Sequence, residues 1–219
     1  MSIIISCVIA KGGAGKTTLA FALAMHWGAV GRRVLLIDCD PQGTLINLFA
    51  VREKKGSAEA ICVDLSRLEA RIKREAASDV YGVIIVDTPS TLREIGPAIK
   101  AADVVMMPSQ PSGADFFAFK RTFNVCLKIG ISIVVVPNRV KSRGQHEILQ
   151  RTFKALSEGK ALIAEPIGDR VDHGSYTIGE LSIVDIGPSG KGAFEIAKLA
   201  QTLEEVVNGQ GQGVESRTG

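Results

Sequence analysis

Short runs of apolar residues alternate with longer amphipathic stretches along most of this 219-residue chain. The apolar runs are rich in Val and Ile and have the length of buried strands, whereas the stretches between them have helical spacing. The predicted strands are 3–9, 33–38, 82–87, 104–108, 131–137 and 162–166, and the predicted helices are 17–28, 65–76, 92–101, 115–128, 145–157 and 193–207. Continuously apolar strands separated by helices favour an α/β fold, with a mainly parallel sheet covered by helices on both faces.

The bulk composition is typical of one globular domain. Hydrophobic residues make up 46% of the chain and charged residues 22%, which are ordinary proportions. We predict a single domain over 1–207 and a disordered tail over 208–219, because the tail is rich in Gly, Gln and Ser. No apolar run reaches the length of a membrane span. The four cysteines form no Cys-x-x-Cys pair, which favours a reducing cytosol and argues against a zinc or iron–sulfur site.

The most informative segment is 10–18, AKGGAGKTT, which lies between the first predicted strand and the first predicted helix. A glycine-rich turn with Gly-Lys-Thr at a strand-to-helix junction is the context of a phosphate-binding P-loop. Its backbone N–H groups and the helix N-terminus would bind phosphate oxygens, Lys16 would reach the β- and γ-phosphates, and Thr17 would bind Mg²⁺. We therefore predict ATP and Mg²⁺ as cofactors. The residues predicted to bind the nucleotide here are Lys11, Gly12, Gly13, Ala14, Gly15, Lys16, Thr17 and Thr18.

The loop departs from the usual P-loop pattern in two places. Ala10 stands where the pattern has glycine, and a second lysine, Lys11, directly precedes the glycine pair. A cation at that place cannot easily reach the phosphates that its own loop surrounds. A second subunit facing the first could receive it, as an arginine finger is delivered in trans. We therefore predict that Lys11 acts across a homodimer.

Aspartates follow two of the apolar strands, at the edge where open α/β sheets bind ligands. Asp87 ends an apolar strand after a P-loop, the arrangement that holds Mg²⁺, although a helix cap or turn would also use an aspartate there. Asp38 and Asp40 precede a Pro-Gln-Gly turn, where a carboxylate could orient the water that attacks the γ-phosphate; the alternative is a simple loop pair. From the residues themselves, the predicted Mg²⁺ ligands are Thr17 and Asp87.

The segment 11–18, with the pattern Lys-Gly-Gly-x-Gly-Lys-Thr-Thr, resembles the deviant Walker A motif of the ParA/MinD superfamily of dimerising ATPases. The Asp-x-Asp-Pro-Gln-Gly at 38–43, the Asp-Thr-Pro at 87–89 and the Lys-Gly-Ala at 191–193 are similar to further motifs of that superfamily, so that the resemblance extends from residue 3 to about 206. It implies a P-loop NTPase fold and ATP hydrolysis. It also implies that Asp40 positions water and that Asp38 supports the Mg²⁺ shell. The catalytic residues so predicted are Lys11, Lys16 and Asp40.

Base recognition is predicted at the ends of the fifth and sixth predicted strands. Asn138 offers one donor and one acceptor, which match N6 and N7 of adenine. The superfamily has an asparagine in this place that contacts adenine, and the segment 166–170 resembles its proline-containing loop over the base. The residues predicted to bind the nucleotide here are Asn138, Arg139, Pro166 and Asp169.

Positive charge is concentrated in one part of the chain. The segment 120–160 has nine basic and two acidic residues, a net charge of +7, which leaves −4 for the rest of the chain. Such a segment suggests a polyanion partner, although solvated helix faces would give the same count. Ser189 stands where the resembled family often has an arginine implicated in DNA binding, which leaves the DNA surface to Lys191, Arg170 and the basic residues of 120–160. The predicted DNA contacts are Lys141, Arg143, Arg170 and Lys191.

The resemblance is to short ParA-type partition ATPases, which lack an N-terminal helix-turn-helix region. It implies an ATP-dependent homodimer that binds DNA non-specifically and works with a ParB-like centromere-binding protein, in the cytoplasm and on the nucleoid when ATP-bound. Three alternatives are kept: ParA-like positioning of a protein cargo, a MinD-like ATPase on a membrane surface, and a metabolic or electron-transfer relative. The last predicted helix runs into acidic residues and glycines rather than a basic amphipathic end, so that no membrane partner is expected.

Overall fold

The computed structural model describes residues 2–51, 56–169 and 189–215, and its centre is a sheet of seven parallel strands. In chain order these are β1 Ile3–Cys7, β2 Val34–Asp38, β3 Ala58–Cys62, β4 Val83–Asp87, β5 Val104–Ser109, β6 Ser132–Pro137 and β7 Leu162–Ile163. Across the sheet their order is β3-β2-β4-β1-β5-β6-β7. The α/β prediction is confirmed, and every strand pair in this sheet is parallel.

Seven α-helices of the described residues cover the sheet. They are α1 Lys16–Ala29, α2 Thr44–Ala50, α3 Leu68–Ala77 (preceded by a 3₁₀ turn, Leu65–Arg67), α4 Gly96–Lys100, α5 Gly113–Ile129, α6 Arg143–Ser157 and α7 Lys191–Glu215. Helices α1, α2 and α7 pack against one face of the sheet, and helices α3 to α6 pack against the other. In the described part of the chain, no helix combines the length and the apolar character needed to cross a membrane.

The two cores follow from the alternation of side chains along each strand. In β2, Val34 and Leu36 belong to the core of α1 and α7, whereas Leu35 and Ile37 face α3. All four are fully buried, because both faces of a parallel sheet are covered and successive side chains point to opposite faces. This double burial explains why the strands are continuously apolar.

Two elements were not predicted. The edge strand β3 has the sequence AEAIC, in which Glu59 and Cys62 are exposed, so it lacks the apolar run that marks the central strands. The helix α2 has only seven residues, and it buries Leu45 and Phe49 against α1's face of the sheet. Short elements of this kind are stabilised by tertiary packing rather than by a periodic sequence.

The last helix is longer than predicted. The structure continues α7 to Glu215, so that 208–215, predicted as part of a disordered tail, is helical here. Helix propagation from a packed segment needs no new nucleus, and Ile196, Leu199 and Leu203 of α7 pack into the core. The glycines at 209, 211 and 213 disfavour a helix without preventing one. The division of the chain into a domain and a tail stays a prediction.

Candidate nucleotide site

A cleft of about 340 Å³ lies at the carboxyl edge of the sheet. Because the strands are parallel, the segments that follow β1, β2, β4 and β6 all reach this edge. The residues that line the cleft are Gly13, Ala14, Gly15, Lys16, Thr17, Thr18, Leu19, Asp40, Gln42, Thr44, Ser90, Asn138 and Arg139. The structure therefore brings together most of the P-loop, the turn after β2 that carries Asp40, and the end of β6, which come from separate parts of the sequence.

The P-loop connects β1 to α1 and requires glycine at its last position. Gly15 is the N-cap of α1 and has φ +106°, in the left-handed region that disfavours other residues. A Cβ on Gly15 would lie 2.2 Å from Nδ2 of Asn138. The close approach of β6 to the loop therefore depends on a residue without a side chain.

Lys16 is a buried cation at the start of α1. Its side chain is 6% exposed, and Nζ donates a hydrogen bond to Oγ of Ser90 at 2.8 Å. Burial lowers the pKa of Lys16, while the carboxylates of Asp87 and Asp40 act in the opposite direction. An ammonium held in a poorly solvated cleft interacts strongly with an entering phosphate. Ser90 was missed from sequence, although its place three residues after Asp87 was the available signal.

Asp87, at the end of β4, contacts the threonine of the P-loop. Its Oδ2 accepts a hydrogen bond from the hydroxyl of Thr17 at 2.6 Å, and its Oδ1 is buried without a hydrogen-bond partner among the described residues. Burial raises the pKa of Asp87 to about 7. Buried polar atoms usually have partners, so an orphaned carboxylate oxygen beside the P-loop threonine fits a cation. Thr17 and Asp87 could therefore hold Mg²⁺.

The described residues contain no cluster of three or more His, Cys, Asp or Glu side chains that could hold a metal ion. This is compatible with Mg²⁺, which is commonly bound through one or two carboxylates, waters and the phosphates of a substrate. A site built from Thr17 and Asp87 would thus be completed by the nucleotide and not by further protein ligands.

Asp38 is bonded differently from Asp87. Its Oδ1 accepts from the backbone N–H of Asp40 and its Oδ2 from that of Ile46, each at 3.0 Å. The carboxylate thus holds the turn after β2 and the start of α2. Asp40 lines the cleft, and its Oδ1 accepts from the N–H of Gln42 at 3.0 Å. Of the two carboxylates, Asp40 is the one that faces the space where a nucleotide would bind.

Lys11 precedes the glycine pair of the P-loop and contacts the β5–α5 connection. It is not among the cleft's lining residues, and Nζ donates to Oγ of Ser112, in the β5–α5 connection, at 3.3 Å. This placement is compatible with a contact to a second subunit, which stays a prediction.

The residues predicted to read the base are only partly brought together. Asn138 donates from Nδ2 to the carbonyl of Ala14 at 2.8 Å, and its Oδ1 accepts from the N–H of Arg139. Arg139 lines the cleft with a left-handed backbone, φ +56°. Pro166 and Asp169 are not lining residues; Asp169 lies 3.6 Å from Nζ of Lys141, in a neighbouring cavity of about 420 Å³.

Three of the four predicted DNA contacts, Lys141, Arg143 and Lys191, are described, and none of them lines the cleft. All nine basic side chains of 120–160 are exposed. Lys141 and Arg143 lie just before and at the start of α6, and Lys191 is exposed at the start of α7. Arg170 lies outside the described residues. The basic segment is therefore available to a partner, and its partner stays a prediction.

A parallel sheet with a glycine-rich loop at the end of β1, followed by Lys16 and Thr17 and facing an aspartate on β4, defines a P-loop nucleotide-binding domain. The sequence profile of the CobQ/CobB/MinD/ParA nucleotide binding domain matches residues 5–176. The chain belongs to this family.

Curated relatives and solved structures agree with this assignment. The chain is 34% identical over 158 residues to maintenance of carboxysome distribution protein A of Gloeobacter kilaueensis, covering 69% of this chain and 70% of that protein. It is 27% identical over 138 residues to the chromosome-partitioning ATPase Soj of Thermus thermophilus, covering 50% and 54%; the match thus spans about half of that relative. The cell division ATPase MinD of Pyrococcus furiosus superposes with a TM-score of 0.79 at 21% identity, covering 94% of this chain and 100% of that one, which shows the fold.

Proposed function

We propose that this chain is a ParA-type ATPase that binds ATP with Mg²⁺, dimerises when ATP is bound, binds DNA non-specifically in that state and releases it on hydrolysis. The observation that carries the proposal is that Lys16, Thr17 and Asp40 line one cleft and that Asp87 is hydrogen-bonded to Thr17 beside it. A phosphate-binding lysine, a cation site and a cleft-facing carboxylate are the three groups that assisted hydrolysis of a γ-phosphate requires.

Each group has a separate role in the proposed reaction. The P-loop N–H groups and Lys16 hold the phosphate chain. To reach the phosphates, the Lys16 ammonium gives up its hydrogen bond to Ser90. Thr17 and Asp87 hold Mg²⁺, which when bound neutralises charge on the β- and γ-phosphates. Asp40 accepts a hydrogen bond from the attacking water and orients it in line with the γ-phosphate. Its position on the turn that Asp38 fixes keeps it at the mouth of the cleft.

In this proposal, Lys11 makes ATP hydrolysis depend on dimerisation. In the proposed dimer the two clefts face each other, and Lys11 of each subunit reaches the phosphates bound by its partner. Lys11 is not among the residues that line the cleft, and its bond to Ser112 places its ammonium group at the β5–α5 connection, which supports this assignment. ATP then stabilises the dimer because the γ-phosphate binds cations from both subunits.

The proposed DNA surface is the exposed basic segment of 120–160, with Lys191. One subunit would neutralise few phosphates and bind weakly, whereas a two-fold dimer doubles the contacts. The protein would then be cytoplasmic, and on the nucleoid when ATP-bound. A ParB-like centromere-binding protein would stimulate hydrolysis and couple release of DNA to segregation of a plasmid or chromosome.

A second candidate is positioning of a protein cargo by the same ATP cycle. The similarity to the carboxysome distribution protein, which covers more of this chain than the match to Soj, favours it. A MinD-like role on a membrane surface is the weakest alternative, because α7 carries Glu204 and Glu205 and no Lys or Arg over 199–215, whereas a helix that binds a membrane surface needs a basic polar face.

The experiment that tests the proposal is fluorescence anisotropy with random-sequence duplex DNA, in ADP and then in ATP, across a salt series. We expect binding in ATP, little in ADP, and a log–log salt slope that steepens by about 0.9 for each phosphate neutralised. Equal affinity in both nucleotides, or no binding at low salt, would contradict DNA binding. Adding the purified cargo protein in place of DNA then tests the second candidate.

A further inference from the structure

Two side-chain amides hold consecutive carbonyl groups of the P-loop. Nε2 of Gln110, directly after β5, donates to the carbonyl of Gly13 at 2.5 Å. Nδ2 of Asn138, directly after β6, donates to the carbonyl of Ala14 at 2.8 Å. Within the described part of the chain, no backbone N–H donates to either carbonyl. Among the described residues, the carbonyls of Gly13 and Ala14 therefore depend on these two side chains for their hydrogen bonds.

The direction of a carbonyl decides the direction of the following N–H. A trans peptide is planar, and its C=O and N–H point in opposite directions. Gln110 therefore sets the direction of the Ala14 N–H, and Asn138 sets that of the Gly15 N–H. These are N–H groups of the loop that lines the cleft, and such groups bind the phosphates of a nucleotide. Without a side chain to hold it, a glycine-rich backbone rotates readily.

The β5–α5 connection and α5 also contact the beginning of the P-loop. The N–H of Ala10 donates to Oγ1 of Thr122 in α5 at 3.0 Å, and Nζ of Lys11 donates to Oγ of Ser112. The β5–α5 unit thus contacts the loop at Ala10, Lys11 and Gly13. These three contacts fix the position of the P-loop relative to the β5–α5 unit.

We propose that Gln110 and Asn138 are positioning residues for nucleotide binding: they aim the N–H groups of the P-loop at the phosphates and do not touch the reacting atoms. The proposal rests on the proposed nucleotide binding and assigns Asn138 a role other than base reading. The ligand class is a nucleoside di- or triphosphate, and the effect is independent of the base.

The test compares variants of Gln110 for binding of a labelled ADP and a labelled ATP. Gln110→Leu removes the donor at similar volume, and Gln110→Glu replaces it with an acceptor that repels the carbonyl of Gly13. Gln150→Glu, on the exposed surface of α6, is the matched charge control. We expect affinity to fall about fivefold to tenfold for Gln110→Leu and further for Gln110→Glu, for both nucleotides, with no change in the control.

A pH series distinguishes positioning from general loosening of the fold. A protonated glutamic acid is a donor of nearly the same shape as glutamine, so Gln110→Glu should regain affinity relative to wild type as pH falls towards 5. Gln110→Leu should keep a constant ratio to wild type. Wild-type affinity in both variants would overturn the role of Gln110, and a parallel pH response of the two variants would overturn positioning through this hydrogen bond.

Asn138→Leu tests the second amide with ATP and GTP side by side. A loss shared equally by the two nucleotides supports loop positioning, whereas a loss confined to ATP would show base reading and overturn this half of the proposal. Lys16→Ala separates the proposal from the function on which it rests. If Lys16→Ala binds nucleotide as well as wild type does, the assignment of the nucleotide site itself is wrong. If Lys16→Ala loses nucleotide binding while the Gln110 and Asn138 variants keep it, only the positioning role is wrong.

Discussion

Asp38 and Asp87 are register partners at the ends of the neighbouring strands β2 and β4, yet their carboxylates have different surroundings. Both oxygens of Asp38 accept backbone N–H groups, whereas Asp87 has one oxygen that accepts from Thr17 and one buried oxygen that has no hydrogen-bond partner in the described part of the chain. Two carboxylates placed side by side by one sheet thus differ: that of Asp38 holds the turn after β2, and that of Asp87 keeps one oxygen available for the proposed cation.

The raised pKa of Asp87 predicts a stability that depends on pH. A carboxyl that titrates near 7 when folded and near 4 when unfolded stabilises the fold only while it is protonated, so its contribution is lost as pH rises through about 7. Asp87→Asn keeps an acceptor for Thr17 and removes the charge. Without nucleotide or Mg²⁺, we expect this variant to melt above wild type at pH 8 and to lose that advantage towards pH 4. Thermal melts of both proteins from pH 4 to pH 8 measure this difference. Equal melting temperatures at pH 8 would contradict the prediction that the buried charge of Asp87 destabilises the fold.

Lys16→Ala should abolish tight ATP binding. The variant loses the buried ammonium that faces the cleft, and we expect affinity for a labelled ATP analogue to fall by more than about tenfold, as loss of a charge-assisted contact implies. Lys73→Ala removes an exposed lysine on α3 and is the control. Wild-type affinity in Lys16→Ala would refute the P-loop assignment.

Asp40→Ala should impair hydrolysis more than binding, because water positioning matters only when the bond breaks. We expect ATP binding near wild type, accumulation of the ATP-bound dimer, and turnover reduced about a hundredfold. Asp40→Asn keeps an oxygen that can accept from the N–H of Gln42 and so tests the charge alone. Phosphate release measured under single-turnover conditions decides the matter, and unchanged turnover in both variants would remove Asp40 from the mechanism.

Lys11→Ala should uncouple ATP binding from dimerisation. Since Lys11 does not line its own cleft, we expect the variant to bind nucleotide and to remain monomeric in ATP, with hydrolysis reduced at least about a hundredfold. Light scattering in ADP and in ATP measures the change of mass, with Lys73→Ala as control. A dimer of normal stability would rule out the contact across subunits.

Charge reversal on the basic segment should weaken binding to all DNA sequences alike. Lys141→Glu and Arg143→Glu lie outside the cleft, so ATP binding should stay intact while DNA affinity falls severalfold and the salt slope decreases. Lys73→Glu makes the same change of charge on α3, away from 120–160. If Lys73→Glu and Lys141→Glu reduce DNA affinity equally, DNA binding responds to the net charge of the protein and the segment 120–160 is not a defined DNA surface.

Much of the site could be predicted from sequence because its elements are local. A glycine-rich turn between an apolar strand and a helix, and an aspartate at the end of such a strand, are determined by neighbouring residues; hence the P-loop around Lys16 and the places of Asp40 and Asp87 were found without coordinates. The six strands with continuous apolar runs were found for the same reason. The edge strand β3 and the short helix α2 were missed, because neither has such a run or a sustained periodicity.

Other features were decided only by the tertiary structure. The order β2-β4-β1 places Asp38 beside Asp87, and β5 and β6 carry Gln110 and Asn138 to the carbonyls of the P-loop, about a hundred residues away in the chain. A glutamine after a strand has no local signature, since its partner is a backbone atom whose position depends on the whole sheet. The sequence by itself thus determined which chemical groups the site contains, and strand order and packing determined which of those groups are in contact.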